Sequence, residues 1–213
     1  MKSDPHVARF ETAFAAAPLV AILRGLEPQR AEAIGDILVA AGIRIIEVPL
    51  NSPDPFDSIA RLVKRFGDRA LIGAGTVMEE ADIAELKRIG AGLAVSPHAD
   101  VALIRAARAA GLVSLPGILS STEAFAAIRA GANGLKLFPM EMIGASGVKA
   151  MRAVLPKGLK LIAVGGVGPA NMRNLQTAGC DGFGLGSSLF KPGMALEAIR
   201  ASAEASIAAV ATQ

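Results

Sequence analysis

The chain has 213 residues, 52% of them hydrophobic, and a net charge of +3 from 22 Lys and Arg against 19 Asp and Glu. Its basic residues are scattered and it has neither Trp nor Tyr, so it lacks the charge blocks and stacking platforms of a nucleic-acid groove. No apolar run reaches the length of a membrane span, no signal core is visible, and a lone Cys180 excludes an internal disulfide, which together suit a reducing cytoplasm.

In chain order, the pattern opens with a helix in the first 17 residues, expected to cap one end of the fold. Eight near-continuous apolar runs come next, at 19–24, 43–50, 70–77, 92–97, 112–118, 134–139, 160–167 and 182–189. Such runs are expected of parallel strands covered by helices, and Ala-rich helical stretches separate them. The helical stretches stop at Gly42, Gly67, Gly90, Gly111, Gly131, Gly158 and Gly179, each expected as a left-handed cap. These glycines recur every 20–27 residues, the length of one strand–helix unit. Eight units imply a single (β/α)8 TIM barrel over residues 1–213, with the N-terminal helix as an extra. An open doubly wound sheet is the alternative; the even units and the absence of a GxGxxG motif weigh against it.

A barrel of this kind places its active site at the C-terminal strand ends. Strand 1 ends at Arg24, whose planar fork suits a carboxylate. Strand 2 carries Glu47 between Ile46 and Val48. Alternation puts Ile46, Val48 and Leu50 on one face and Ile45, Glu47 and Pro49 on the other, so that Glu47 points into the barrel mouth. Strand 6 holds Lys136, the one charge in Gly134-Leu135-Lys136-Leu137-Phe138-Pro139. Burial there lowers its pKa and favours the neutral amine, the form that attacks a ketone or aldehyde to give a Schiff base. A strand-end lysine that snorkels to water is the ordinary alternative. A structural ion pair of Glu47 with Lys136 or Arg24 is the plain alternative.

Strands 7 and 8 end in Gly165-Gly166 and Gly186-Ser187, ahead of helices expected near Pro169 and Gly193. Bare backbone N–H groups at helix starts suit a phosphate, though tight turns alone also call for glycine. His98 reads as a loop residue near the rim, His6 as surface and Cys180 as buried filler. No His, Cys, Asp and Glu set has metal-ligand spacing, so no metal is expected.

Ile22-Leu23-Arg24-Gly25, the Glu47 strand, Gly73-Ala74-Gly75-Thr76-Val77, Leu135-Lys136-Leu137-Phe138-Pro139, Gly165-Gly166-Val167 and Gly186-Ser187 together resemble the KDPG/KHG aldolase family over almost the whole chain. Glu47-Val48-Pro49-Leu50-Asn51-Ser52-Pro53 and Ala163-Val164-Gly165-Gly166-Val167 are similar to its phosphogalactonate branch. Gluconate-type members typically have arginine at the position of Asn51 and threonine at that of Pro49. The resemblance implies a class I aldolase without cofactor, releasing pyruvate and D-glyceraldehyde 3-phosphate from a phosphorylated keto acid. It implies Lys136 as the Schiff-base lysine, Glu47 as proton shuttle and Arg24 as orienting group for the pyruvyl half. It further implies Thr76, Pro97, Pro116, Asn51 and Val164 around the substrate, and Gly165, Gly166, Gly186 and Ser187 around the phosphate. The family is typically homotrimeric. A gluconate-type or 4-hydroxy-2-oxoglutarate aldolase is the second reading, and a non-catalytic phosphosugar-binding barrel the third.

Overall fold

Residues 4–211 are described by a computed structural model of the chain. The apolar runs become eight strands: β1 (Leu19–Ile22), β2 (Ile45–Pro49), β3 (Leu71–Gly75), β4 (Leu93–Ser96), β5 (Val113–Ile118), β6 (Leu135–Leu137), β7 (Leu161–Val164) and β8 (Gly182–Leu185). All pair in parallel with their sequence neighbours, and β8 returns to β1 with Val20 opposite Gly184, closing the barrel. The helices are α1 (Pro5–Ala16), α2 (Pro28–Ala41), α3 (Pro55–Phe66), α4 (Glu80–Arg88), α5 (Val101–Ala109), α6 (Ser121–Ala130), α7 (Met140–Arg152), α8 (Pro169–Ala178) and α9 (Leu196–Ala211). This is the expected (β/α)8 barrel with an extra N-terminal helix. No described helix is long and apolar enough to cross a membrane.

Strand alternation builds two apolar shells. Val20, Ile22, Ile45, Leu71, Leu93, Val95, Val113, Leu115, Ile162 and Val164 fill the barrel, while Ala21, Ile46, Val48, Ile72, Ala74, Leu135, Leu137 and Ala163 pack against the helices. Burying each Val, Leu or Ile contributes about 1.5–3 kcal/mol, so the two shells carry the fold. Barrel closure also needs small residues: a methyl group added at Gly73 would lie 2.0 Å from the Leu93 carbonyl oxygen.

Helix α1 is built to seal the N-terminal end. Asp4 caps it, accepting a 3.0 Å hydrogen bond from the His6 amide, and Phe10, Ala13 and Phe14 join the inner shell. The Phe10 and Phe14 rings lie 5.4 Å apart, and Lys160 reaches Glu11 at 2.6 Å.

Three expectations need correction. His6 is half-buried rather than freely exposed: its Nδ1 is buried without a hydrogen-bond partner, against Gly92 at the foot of β4. Burial lowers its pKa and Asp4 opposes that shift. Gly67 ends α3 at φ −61°, a right-handed cap, whereas Gly42, Gly90, Gly111, Gly131 and Gly179 follow their helices with positive φ. Gly158 caps nothing, since α7 already ends at Arg152 and Gly158 lies in a separate turn. What Gly67 supplies is space, since an added methyl would lie 2.6 Å from the Val63 carbonyl oxygen. The last helix starts at Leu196 rather than near Gly193, and β8 stops at Leu185. The Leu189 and Phe190 amides bond back to the Gly186 carbonyl at 2.9 Å, folding those residues into a turn.

Candidate active site

Lys136 and Glu47 enter the barrel from β6 and β2, at 7% and 2% exposure. Charges so placed need partners, yet no described residue pairs with either carboxylate oxygen at ion-pair distance, and Glu47 Oε2 has no hydrogen bond. The structural ion pair of Glu47 with Lys136 or Arg24 is therefore not formed. Burial instead shifts both groups toward neutrality. It raises the Glu47 pKa from 4.5 to about 7, against the pull of Lys136 and Arg24. It lowers that of Lys136, with Glu47 opposing and Arg24 assisting. A carboxyl group poised near neutrality and an amine pushed toward its free-base form are the pair that carbonyl addition and proton transfer require.

The seat of Glu47 is made by a neighbouring strand. A methyl group added at Gly75 would lie 1.9 Å from Glu47 Oε2, so only a residue without a side chain leaves the carboxylate its place. A void of about 10 Å³ adjoins Glu47, Lys136 and Val164, the space one water fills.

Above this floor opens a cavity of about 440 Å³, lined by Ile22, Arg24, Phe138, Val164, the β7–α8 turn and the Gly186-Ser187-Ser188 segment. Gly165 and Gly166 take φ of 107° and 61°, left-handed values that favour glycine. Asn171 in the first turn of α8 pins that turn: its Oδ1 accepts from the Gly168 amide at 3.0 Å and its Nδ2 donates to the Gly166 carbonyl at 2.8 Å. Ser188 Oγ donates to the Val167 carbonyl at 2.7 Å, tying the β8 turn to the β7 turn. The mouth thus has a backbone-lined pocket beside the start of α8, suited to an anion.

Arg24 is exposed at the rim and held from the turns that follow β2 and β3. Its Nη1 donates to Asn51 Oδ1 at 2.5 Å and its Nη2 to Thr76 Oγ1 at 3.4 Å. Thr76 has φ 56°, a strained value for a β-branched residue, of the kind that gathers at functional sites. Asn51 and Thr76 line neither cavity; they reach the site through Arg24. Pro97 and Pro116 line neither cavity as well, and alternation turns Pro116 toward the helices, the side of Ile118. His98 is exposed, and its carbonyl accepts from Ser96 Oγ at 2.7 Å. Burial and Asp181 push the Cys180 thiol up to about 12, leaving it inert as expected of filler.

Comparison with known proteins agrees with this geometry. The model of the KDPG and KHG aldolase family matches residues 10–206. The chain belongs to the KDPG and KHG aldolase family. A probable 2-dehydro-3-deoxy-6-phosphogalactonate aldolase of Rhizobium meliloti is 50% identical over 90% of this chain and 91% of its own. The 2-dehydro-3-deoxy-6-phosphogalactonate aldolase of Escherichia coli is 44% identical over 84% of this chain and 88% of its own. A solved structure described as native KDPGal superposes with TM-score 0.89 at 43% identity, covering 90% of this chain and 93% of that one. The KHG/KDPG aldolase of Escherichia coli is more distant, at 32% identity over 88% of this chain and 87% of its own.

Within this aldolase-family site, several residues went unrecognised in the sequence. Asn171 and Ser188 are ordinary polar residues of turns, and nothing in their spacing marks them. Gly75 reads as one more strand glycine, and Phe138 as core.

Proposed function

We propose that the chain is a class I aldolase that cleaves 2-dehydro-3-deoxy-6-phosphogalactonate into pyruvate and D-glyceraldehyde 3-phosphate. The observation that carries this reading is the buried Glu47 and Lys136, not ion-paired with each other, around a small void that shares Ile22, Val164 and Gly184 with the cavity walled by the paired glycine turns. The resemblance at 44–50% identity to aldolases of that substrate supports the galacto branch.

In this scheme the Lys136 amine adds to the C2 ketone, and the ketone oxygen takes a proton. Glu47, protonated near neutral pH, supplies the proton that carries that oxygen off as water, leaving a protonated imine. The Glu47 carboxylate then removes the C4 hydroxyl proton. The C3–C4 electron pair moves onto the imine, the aldehyde departs, and water hydrolyses the remaining pyruvyl adduct. The imine is the electron sink, so no metal or cofactor enters the scheme.

Arg24, held by Asn51 and Thr76, orients the pyruvyl carboxylate. The amides of Gly165, Gly166 and Gly186, with Ser187, take the phosphate at the outer end. Val164 lines both the floor and the mouth, where a C4 hydroxyl between the two ends would pass, and with Asn51 sets the galacto preference. Pro97 and Pro116, implied beside the substrate, line neither cavity and have no part in this scheme. The chain acts in the cytoplasm as one barrel domain and assembles as a homotrimer.

The test is pyruvate release from 2-keto-3-deoxy-6-phosphogalactonate and its gluconate epimer, measured in parallel. Preference for the galacto substrate is expected; equal rates overturn the branch assignment, and no pyruvate from either overturns the aldolase. Lys136→Met should abolish turnover with the circular dichroism spectrum unchanged, and near-normal turnover would sink the Schiff-base role.

A further inference from the structure

The site has an aromatic face aimed at its nucleophile. Lys136 Nζ lies 4.4 Å from the centroid of the Phe138 ring, two residues further along the chain. Phe138 packs against the inner shell on one side and lines the substrate cavity on the other. Its backbone is fixed, since its amide donates to the Ile118 carbonyl at 3.2 Å and extends the β5–β6 ladder. The backbone thus anchors the base of the side chain, and packing against the inner shell backs one side of the ring.

The other charged groups facing the lysine are ill suited to hold a cation there. Arg24 repels it. Glu47 must change protonation during the cycle, so it cannot serve as a constant counter-ion, and it forms no ion pair with the lysine. An aromatic face attracts a cation through its quadrupole, cannot take its proton and cannot react with the carbonyl.

We propose that Phe138 is a catalytic residue whose ring face carries the positive charge that Lys136 bears in the protonated imine. The proposal rests on the Schiff-base role of Lys136. The charge appears when the neutral amine has added to the ketone and water has left. It disappears when the C3–C4 pair collapses onto nitrogen. The ring stabilises the species between those two events without competing for the proton that Glu47 moves.

The test replaces Phe138 by phenylalanines carrying one, two and three ring fluorines, which drain the ring face of negative charge while barely altering its size. Pyruvate is the probe, and the imine it forms is trapped with borohydride. The apparent pyruvate affinity is read above the titration midpoint of Lys136, where the free amine is neutral. Affinity should fall stepwise with fluorine number, by about two- to thirty-fold over the series. Well below that midpoint the free ammonium faces the same ring, so the dependence should flatten. Equal affinity across the series at high pH overturns the proposal and leaves Phe138 as packing. Phe138→Leu, which keeps bulk and loses the ring, should match the most fluorinated variant. Absence of any trapped adduct in the unsubstituted protein would overturn the Schiff-base role instead.

Discussion

Glu47 and Lys136 owe their shifted pKa values to a single cause acting on opposite charges. Desolvation disfavours carboxylate and ammonium alike, and so moves their pKa values toward each other. Glu47→Gln should lower kcat about 10²–10⁴-fold, the range for a general acid–base residue, with substrate KM little changed; a normal kcat with a raised KM would make Glu47 a binding residue. The same shift has a cost in stability. The folded-state pKa of about 7 lies above the ordinary 4.5, so the stability of the native protein is full below pH 4.5 and declines as pH rises through 7. Thermal melts of Glu47→Gln should therefore exceed those of the parent at pH 8, with the gap closing toward pH 5; a gap independent of pH would refute the linkage. Gly75→Ala should cost activity comparably without touching the substrate, because the added methyl claims the space of Glu47 Oε2. Full activity in that variant would show that the carboxylate has another seat. Lys136 and Glu47 were legible in the sequence because a charge inside an apolar run is anomalous wherever it occurs. Phe138 and Gly75 were not, since an apolar residue or a glycine in such a run is ordinary, and their meaning comes only from what lies across the barrel.

At the scale of elements, strand order was readable from composition, but element ends were not. Apolar residues continue past the strand ends, as at Leu23, Leu50 and Val167, and the Leu23 and Leu50 amides still bond to Glu47 and Gly75 of the next strand at 3.0 and 2.8 Å, so the expected strands overran the observed ones. The turn after β8 hid for the opposite reason: its bonds to the Gly186 carbonyl are made by backbone, which the side-chain pattern does not report. Junctions between elements are held by polar staples of the same hidden kind. Arg152, at the end of α7, donates through Nε and Nη2 to the Gly179 carbonyl at 3.0 and 2.7 Å and through Nη1 to the Leu159 carbonyl at 2.8 Å, and it also pairs with Asp181. One side chain thereby joins α7, the approach to β7 and the α8–β8 junction. Arg152→Ala should lower stability by about 1–3 kcal/mol in urea unfolding, since partly buried acceptors lose their donor, with KM unaltered. An unchanged midpoint would mean that water replaces the staple.

At the scale of the molecule, the two ends of the barrel are finished differently. Exposed Met78, Leu119 and Met142 all follow strands at the C-terminal end or open the helix beyond one, at 54%, 42% and 72% exposure. Among the described residues Val154, 57% exposed after α7, is the one such residue on the other side, and three large apolar side chains at one end suit burial between subunits. Light scattering should give three times the chain mass, and Met142→Glu should shift it toward the monomer; a monomeric parent would refute the trimer. The opposite end is stoppered by Phe10 and Phe14 of α1.

That stopper decides the traffic. With one end blocked, substrate and products share a single doorway, and the lysine waits at the far end of the passage. In the proposed scheme the phosphate-bearing aldehyde lies nearest the doorway and carries no bond to the protein once C3–C4 has broken, whereas pyruvate is still tethered to Lys136 behind it. Departure is thus a queue in which the aldehyde goes first, and the reverse synthesis must load pyruvate before any aldehyde can enter.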